Sequence, residues 1–334
     1  MRGLIILTLV LAAAWSGWWV VGTTAQKSAI EGWMEQRRAE GWTAEVDELE
    51  INGFPSRFDS TFTDLVLANP MAGWTWEAPN FQILALSYKP NHIIAVWPGT
   101  HSYTTASGTT EISSEGFRGS LIFKPDTALS LNRMQLEISD LTLSGDNGWK
   151  TTASEASVAF FSSNAPSLPA NTYDLYLKAL DFTPPALLRE NLEQIDSLPN
   201  TIPEVIFDAA LTFDQPWDRF SFENSNQQLQ ALKIRSLRFV WGELELLGEG
   251  SLDVVADGTL NGEFTLKARQ WRALLDVIIA ANLLTPETQT ALERGLTFIS
   301  VLAGNPEDLD IPLRFADGLS YIGTIPIGAA PKVY

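Results

Sequence analysis

Cysteine is absent from the 334 residues, and histidine occurs only twice. The first absence removes a disulfide framework, thiolate metal ligands and a cysteine nucleophile, and it fits either the cytoplasm or an oxidising compartment. The second leaves little for metal or general-base chemistry. His92 opens a strand-like run and His101 falls in a polar stretch, and neither has a partner at the i+2 or i+4 spacing of a metal site. Positive charge is scarce too: 22 Lys and Arg stand against 40 Asp and Glu, a net of −18. Arg2 belongs to the N-terminal run, so the rest of the chain carries 21 basic residues against 40 acidic ones, and its longest basic cluster is Arg37-Arg38. Such a body repels phosphate backbones at long range, which argues against nucleic acid as a partner.

The usual catalytic signatures are missing as well. No G-x-S-x-G, S-x-x-K, G-x-G-x-x-G or P-loop pattern occurs. Gly248-Glu249-Gly250-Ser251 lies between alternating strand residues and leads into no helix. The pairs Asp308/Asp310 and Asp214/Asp218 lack the loop glycine and terminal Glu of a dedicated calcium site. No catalytic residue, cofactor or metal ligand is assigned on these grounds. With 40 acidic residues, carboxylate pairs are inevitable, so a carboxylate-dependent hydrolase stays open as a distant alternative.

What is present begins at the N-terminus. Gly3 to Gly22 holds no charge across 20 residues, which as a helix covers about 30 Å, the thickness of a hydrocarbon core. Arg2 and the terminal amine flank one end, and Trp15, Trp18 and Trp19 crowd the other, where indoles favour the membrane interface. An uncleaved transmembrane helix over residues 1–24 is the expectation. A signal peptide cut after Ala12-Ala13-Ala14 is the rival, at the expense of an exposed Trp-rich free end. The charge flank favours a cytoplasmic N-terminus at the bacterial inner membrane and a periplasmic body. Residues 25–43 then read as an amphipathic stalk helix, with Ile30, Trp33 and Met34 on one stripe and Gly41 as its stop. That helix either packs on the body or lies along the membrane surface.

From residue 44 onward the chain reads as mainly β (α+β): an extended, curved antiparallel β-meander with degenerate repeats, either one domain or two halves joined near 165–205. Asn80–Tyr88 and His92–Trp97 flank Lys89-Pro90-Asn91, an expected hairpin turn, and Asp257-Gly258-Thr259 and Asp317-Gly318 are two more turns. A hexamer, apolar-x-x-Leu-x-apolar, recurs at 46–51, 62–67, 138–143, 177–182 and 234–239. Its first apolar position is out of phase with the later two, and a β-bulge at the skipped step would restore one buried face. Asp64-Leu65 and Asp140-Leu141 are each followed by a Gly-Trp pair, Gly73-Trp74 and Gly148-Trp149, as in a degenerate duplication, with a third copy possible after Leu237.

Helices interrupt the strands twice. A short one spans Ala186–Ile195, and a helical hairpin spans Arg269–Leu284 and Pro286–Leu302. In the first arm of the hairpin, Trp271, Leu274, Leu275 and Ile278 make a core stripe. Val277, Ile279 and Leu283 extend it beyond the width that one sheet contact needs. The sequence therefore nominates Trp271, Leu274, Leu275, Ile278, Ile279 and Leu283 as the lining of an apolar groove, against the plainer reading of a buried core.

At Gly53–Asp59, and at Phe315–Gly318 through Gly323–Gly328, the chain resembles a bacterial family catalogued as a domain of unknown function (family 2125), whose members carry a similar N-terminal membrane segment. More distantly, Leu244–Ala268 resembles the AsmA-type envelope proteins. That likeness implies a membrane-anchored, β-rich body presenting a hydrophobic groove to lipid. The expected function is a non-enzymatic envelope protein that handles lipid or another hydrophobic ligand, with a ligand-free assembly scaffold as the alternative.

Overall fold

In the computed structural model, the described residues are 1–185, 198–221, 227–280, 286–303 and 307–333. They form a mainly β, antiparallel meander of 18 strands preceded by a long apolar helix, with two further helices late in the chain. The short helix expected at Ala186–Ile195 lies outside the described residues.

Helix α1 runs unbroken from Arg2 to Ala39, so the apolar run and the amphipathic stretch are one element. Nothing between residues 22 and 28 breaks a helix, and the Thr23 and Thr24 hydroxyls donate back to the Val20 carbonyl. Its end is specified locally. Gly41 takes a left-handed φ of 88°, and the amides of Gly41 and Trp42 return to the carbonyls of Arg38 and Arg37. Arg37 and Arg38 lie in the last turn, where the helix dipole favours cations.

The chain divides into two compact units, residues 1–125 with 136–148, and residues 126–135 with 149–334. The stretch 165–205 belongs to the second. In the first unit, β1 (Thr43–Glu45) and β2 (Glu48–Asn52) share one edge of β3 (Arg57–Asn69), which pairs along its length with β4 (Trp74–Leu86). The far edge of β4 is split between β5 (Lys89–Val96) and β6 (Thr100–Thr105). From these the pairing continues to β8 (Gly116–Phe123) and to β7 (Gly108–Ser113), and β7 pairs with β9 (Leu131–Gly145).

Two local expectations change here. The β4–β5 turn falls at Ser87-Tyr88, not at Lys89-Pro90-Asn91, which lie inside β5. Pairing of β5 with β8 begins only at His92, so Pro90 sits where a missing N–H removes no bond to β8. His101 is no loop residue. It lies in β6, buried between the rings of Trp76 and Phe117.

The second unit is a consecutive antiparallel meander: β10 (Lys150–Ser162), β11 (Thr172–Phe182), β12 (Ile202–Phe213), β13 (Leu229–Trp241), β14 (Leu244–Val254), β15 (Leu260–Arg269), β16 (Asp308–Ala316), β17 (Leu319–Ile322) and β18 (Ile325–Ala329). Its turns follow the sequence signals. Asp317 and Gly318 both take left-handed φ, 52° and 76°, as a two-residue hairpin between Ala316 and Leu319 requires. Helices α2 (Trp271–Ala280) and α3 (Pro286–Ala303) interrupt β15 and β16.

The recurring hexamer resolves into related backbone devices. At 234–239 there is a true bulge: Ile234 and Leu237 face Gly250 and Gly248, so three steps oppose two. On the other side Ser236 and Ile234 face Asp208 and Ala209, which makes Arg235 the extra residue. At 62–67 and 138–143 the third residue, Asp64 or Asp140, takes a left-handed φ of 47° or 50°. Phe62 and Leu65 are thereby both buried, although a strict period of two would oppose them. The copy at 46–51 spans the break between β1 and β2, and the one at 177–182 keeps its register through Leu180, with Asp181 left-handed at 48°.

Candidate functional site

Strand β3 runs alongside α1 in the same direction, and four contacts climb the pair. The Trp19 indole donates to the Arg57 carbonyl at 2.8 Å. Gly22 lies against Phe58 so closely that a Cβ there would stand 2.3 Å from its Cζ. The Gln26 amide donates to the Ser60 hydroxyl at 2.8 Å. Met34 closes the upper end, buried with Ala44, Phe62 and Leu65. The alternation of β3, with Phe58, Ser60 and Phe62 all buried, supplies the matching face.

Between the Gln26 and Met34 contacts the helix stands off the sheet and leaves an apolar cavity of about 410 Å³. That is within the usual size of small-molecule sites, roughly 300–1,000 Å³. Ala29, Ile30, Trp33 and Met34 form its helical wall, and Phe62, Leu65 and Leu67 of β3 with Trp76, Phe81 and Ile83 of β4 form its floor. The floor is largely aromatic: Phe81 meets Phe62 at 5.6 Å and Trp76 edge-on at 5.3 Å. Gln26 is the one lining residue with a polar side chain apart from the indoles, and Ser60 engages its amide. Trp33 remains 40% exposed at the rim, where Arg37 lies over its ring. Its lining is apolar, and none of the residues that form it is an acid, a base or a nucleophile.

The opposite flank of α1 differs in kind. A cavity of about 520 Å³ there is lined by Glu31, Glu35, Asp47 and Glu48 against Lys27 and Arg38, besides Met34, Val46 and Leu49. Four carboxylates against two cations disfavour an anionic ligand. Behind the apolar floor, His101 packs on Trp76 and Phe117, its Nδ1 buried without a hydrogen-bond partner. Burial pushes its imidazole below the ordinary value of 6.5. Among the described residues, no group of three or more His, Asp and Glu is placed to hold a metal ion. Asp218 caps its own turn, accepting from the amides of Phe220 and Ser221, and Asp214 accepts from the Gln228 amide.

The residues nominated from sequence lie in the second unit. Trp271 and Leu275 are buried in a cluster with Leu296, Ala268, Leu309 and Ile311, and Leu274 and Ile279 pack against that cluster. Val277 turns to a neighbouring cluster around Ile202 and Trp241, and Ile278 is half-buried. Leu283 lies outside the described residues. Val277 and Ile279, the described part of the surplus apolar surface of α2, thus meet two clusters. The residues of the apolar cavity carried their own signal, the stripe Ile30, Trp33 and Met34, which the sequence alone assigned only to a stalk. Of the tryptophans expected at a membrane interface, Trp15 and Trp19 each donate an indole hydrogen bond, to the carbonyls of Pro55 and Arg57, and Trp18 is 55% exposed.

Helix α1 is long and apolar enough to cross a membrane, and none of its most apolar 18-residue window is buried by the rest of the chain. A family described as "uncharacterized protein conserved in bacteria (DUF2125)" matches residues 18–331, nearly the whole chain. The chain belongs to this family. The match begins at Trp18 and takes in the cavity-lining part of α1 and both β units. The family thus comprises bacterial proteins, which bears on the kind of membrane α1 can enter. No curated protein and no solved structure matches the chain significantly.

Proposed function

We propose that this is a non-enzymatic, membrane-anchored envelope protein that holds a lipid acyl chain, or a hydrophobic ligand of that shape, in the cavity between α1 and the β3–β4 floor. Helix α1 is retained in the bacterial inner membrane with Arg2 on the cytoplasmic side, and the acidic body lies in the periplasm. One observation carries the reading: the apolar cavity is built on the same helix that has the length and hydropathy to cross the bilayer. Ala29 follows Trp19 by ten residues, about 15 Å of helix. A chain leaving the leaflet beside α1 therefore reaches the cavity along the helix surface.

The test is direct. Full-length protein purified in mild detergent carries bound lipid detectable by native mass spectrometry, and delipidated protein takes up a fluorescent phospholipid. Ile83→Trp, which fills the floor without adding charge, and Ile30→Asp, which places an unpaired carboxylate in the wall, both lower occupancy in folded protein. Folded wild-type protein that takes up no lipid would overturn the reading in favour of a scaffold. Protease added to spheroplasts should remove the body and leave a membrane stub. A body protected until lysis reverses the orientation.

A further inference from the structure

The β2–β3 turn, Gly53 to Arg57, is held against the apolar part of α1, not against its polar continuation. Trp15 Nε1 donates to the Pro55 carbonyl at 2.7 Å and Trp19 Nε1 to the Arg57 carbonyl at 2.8 Å. Phe54 is 58% exposed and meets the Trp19 ring edge-on at 5.4 Å. Measured from Gly3 at the usual rise, Trp15 and Trp19 stand about 18 and 24 Å along the helix, and the first charge after Arg2, Lys27, at about 36 Å. A hydrocarbon core of about 30 Å that begins near Gly3 therefore reaches past Trp19. The turn is carried to that depth by the two indoles.

From this geometry we propose that the Gly53–Arg57 turn is a membrane wedge: Phe54 and Pro55 enter the acyl region below the headgroups of the leaflet from which α1 emerges. The occupant is the lipid surface itself, and the inference rests on α1 crossing the bilayer. The turn is chemically suited to that place. Lipid tolerates backbone only where its polar groups are satisfied. Here the Gly53 carbonyl accepts from the amides of Ser56 and Arg57, the carbonyls of Pro55 and Arg57 are taken by the indoles, and Pro55 has no N–H. Arg57, at the base of the turn, pairs with Asp59 at 2.9 Å and has the reach to keep its head among phosphates while its stem lies lower. An exposed phenylalanine packed on a tryptophan ring of the apolar run is suited to the acyl region of the bilayer.

The cysteine-free chain allows single-site labelling of the full-length protein in vesicles. Phe54→Cys, carrying an environment-sensitive fluorophore, is compared with labels at Leu9 within the apolar run of α1, at Trp18, and at Met71, which is 94% exposed in the turn after β3. Lipids spin-labelled high on the acyl chain should quench position 54 about as strongly as position 18 and leave position 71 bright. If Leu9 is quenched by deep labels while position 54 matches position 71, the wedge is wrong and the anchor stands. If Leu9 is not quenched either, the anchor has failed and the wedge with it. A label at exposed Asn52 repeats the measurement should the Phe54 variant disturb the fold, with quenching above position 71 expected and its absence counting against the wedge.

Discussion

Gly22 and Phe58 interlock: the Phe58 ring occupies the space a Gly22 side chain would fill, its Cζ only 2.3 Å from where that Cβ would be. Phe58 is itself buried, so a ring displaced from this contact must move within packed surroundings. The pair holds α1 close to β3 one turn below Gln26, whose contact with Ser60 ends the apolar cavity.

Gly22→Val should therefore push helix and strand apart. Overpacking of this kind costs about 1–3 kcal/mol. The Phe58→Leu background should restore part of the loss, because contacting pairs are non-additive. Thermal unfolding of the reconstituted protein measures both, and strictly additive losses would mean that the two residues do not meet.

Acid should weaken the first unit through His101. Its folded-state pKa lies below the ordinary 6.5, so below that pH the unfolded chain binds the proton more readily. Stability is then complete above about 6.5, falls as pH drops through that value, and levels off below the folded pKa. His101→Phe, which keeps a ring between Trp76 and Phe117 and removes the unpartnered Nδ1, should flatten this dependence. Denaturant midpoints between pH 7.5 and 5 decide it, and an unchanged slope would exonerate His101.

The bulge at 234–237 exists to aim one side chain. Arg235 donates to Asp208 and Asp174 and to the Ala209 carbonyl, and these carboxylates hold its guanidinium above its usual range. Arg235→Met should leave the bulge without its tether and cost on the order of 1–2 kcal/mol, discounted for the partial exposure of the pair. Asp208→Asn, which keeps an acceptor, should cost less. Equal losses in urea unfolding would argue that charge alone, not the fork geometry, holds the site.

Two tryptophans should separate stability from occupancy. Trp271 is 1% exposed in the cluster under α2 and α3, and Trp271→Ala should cost about 3–5 kcal/mol. Trp33, at the cavity rim and 40% exposed, should cost well under that as Ala while lowering lipid uptake. A Trp33→Ala protein with normal uptake would remove the rim from the proposed site.

Much of this molecule was legible locally. The charge-free run and the glycine after Arg37-Arg38 state where α1 starts and stops. Asp317-Gly318 states its turn, and the out-of-phase hexamer announces the bulge at Arg235. These are decided by a few neighbouring residues, whose backbone preferences do not depend on what lies across the sheet. The β4–β5 turn shows where that ends. Lys89-Pro90-Asn91 has turn chemistry, yet cross-strand pairing places the reversal two residues earlier. Burial of His101 and the position of the cavity belong to the same class. Periodicity reports that Ile30, Trp33 and Met34, or Trp271, Ile278 and Ile279, prefer to leave water. It does not report which of those surfaces finds a close-packed partner. On α2, Trp271, Leu275 and Ile279 meet residues of β14, β15 and β16, and the helix is packed there. On α1, Gly22 seats against Phe58 and Met34 against Phe62 and Leu65, and between these contacts a cavity remains over Trp76, Phe81 and Ile83. Apolar content was set by the sequence of each segment. The gap was set by how α1 seats on the β3–β4 pair, because space left unfilled is a property of several surfaces together and of none alone.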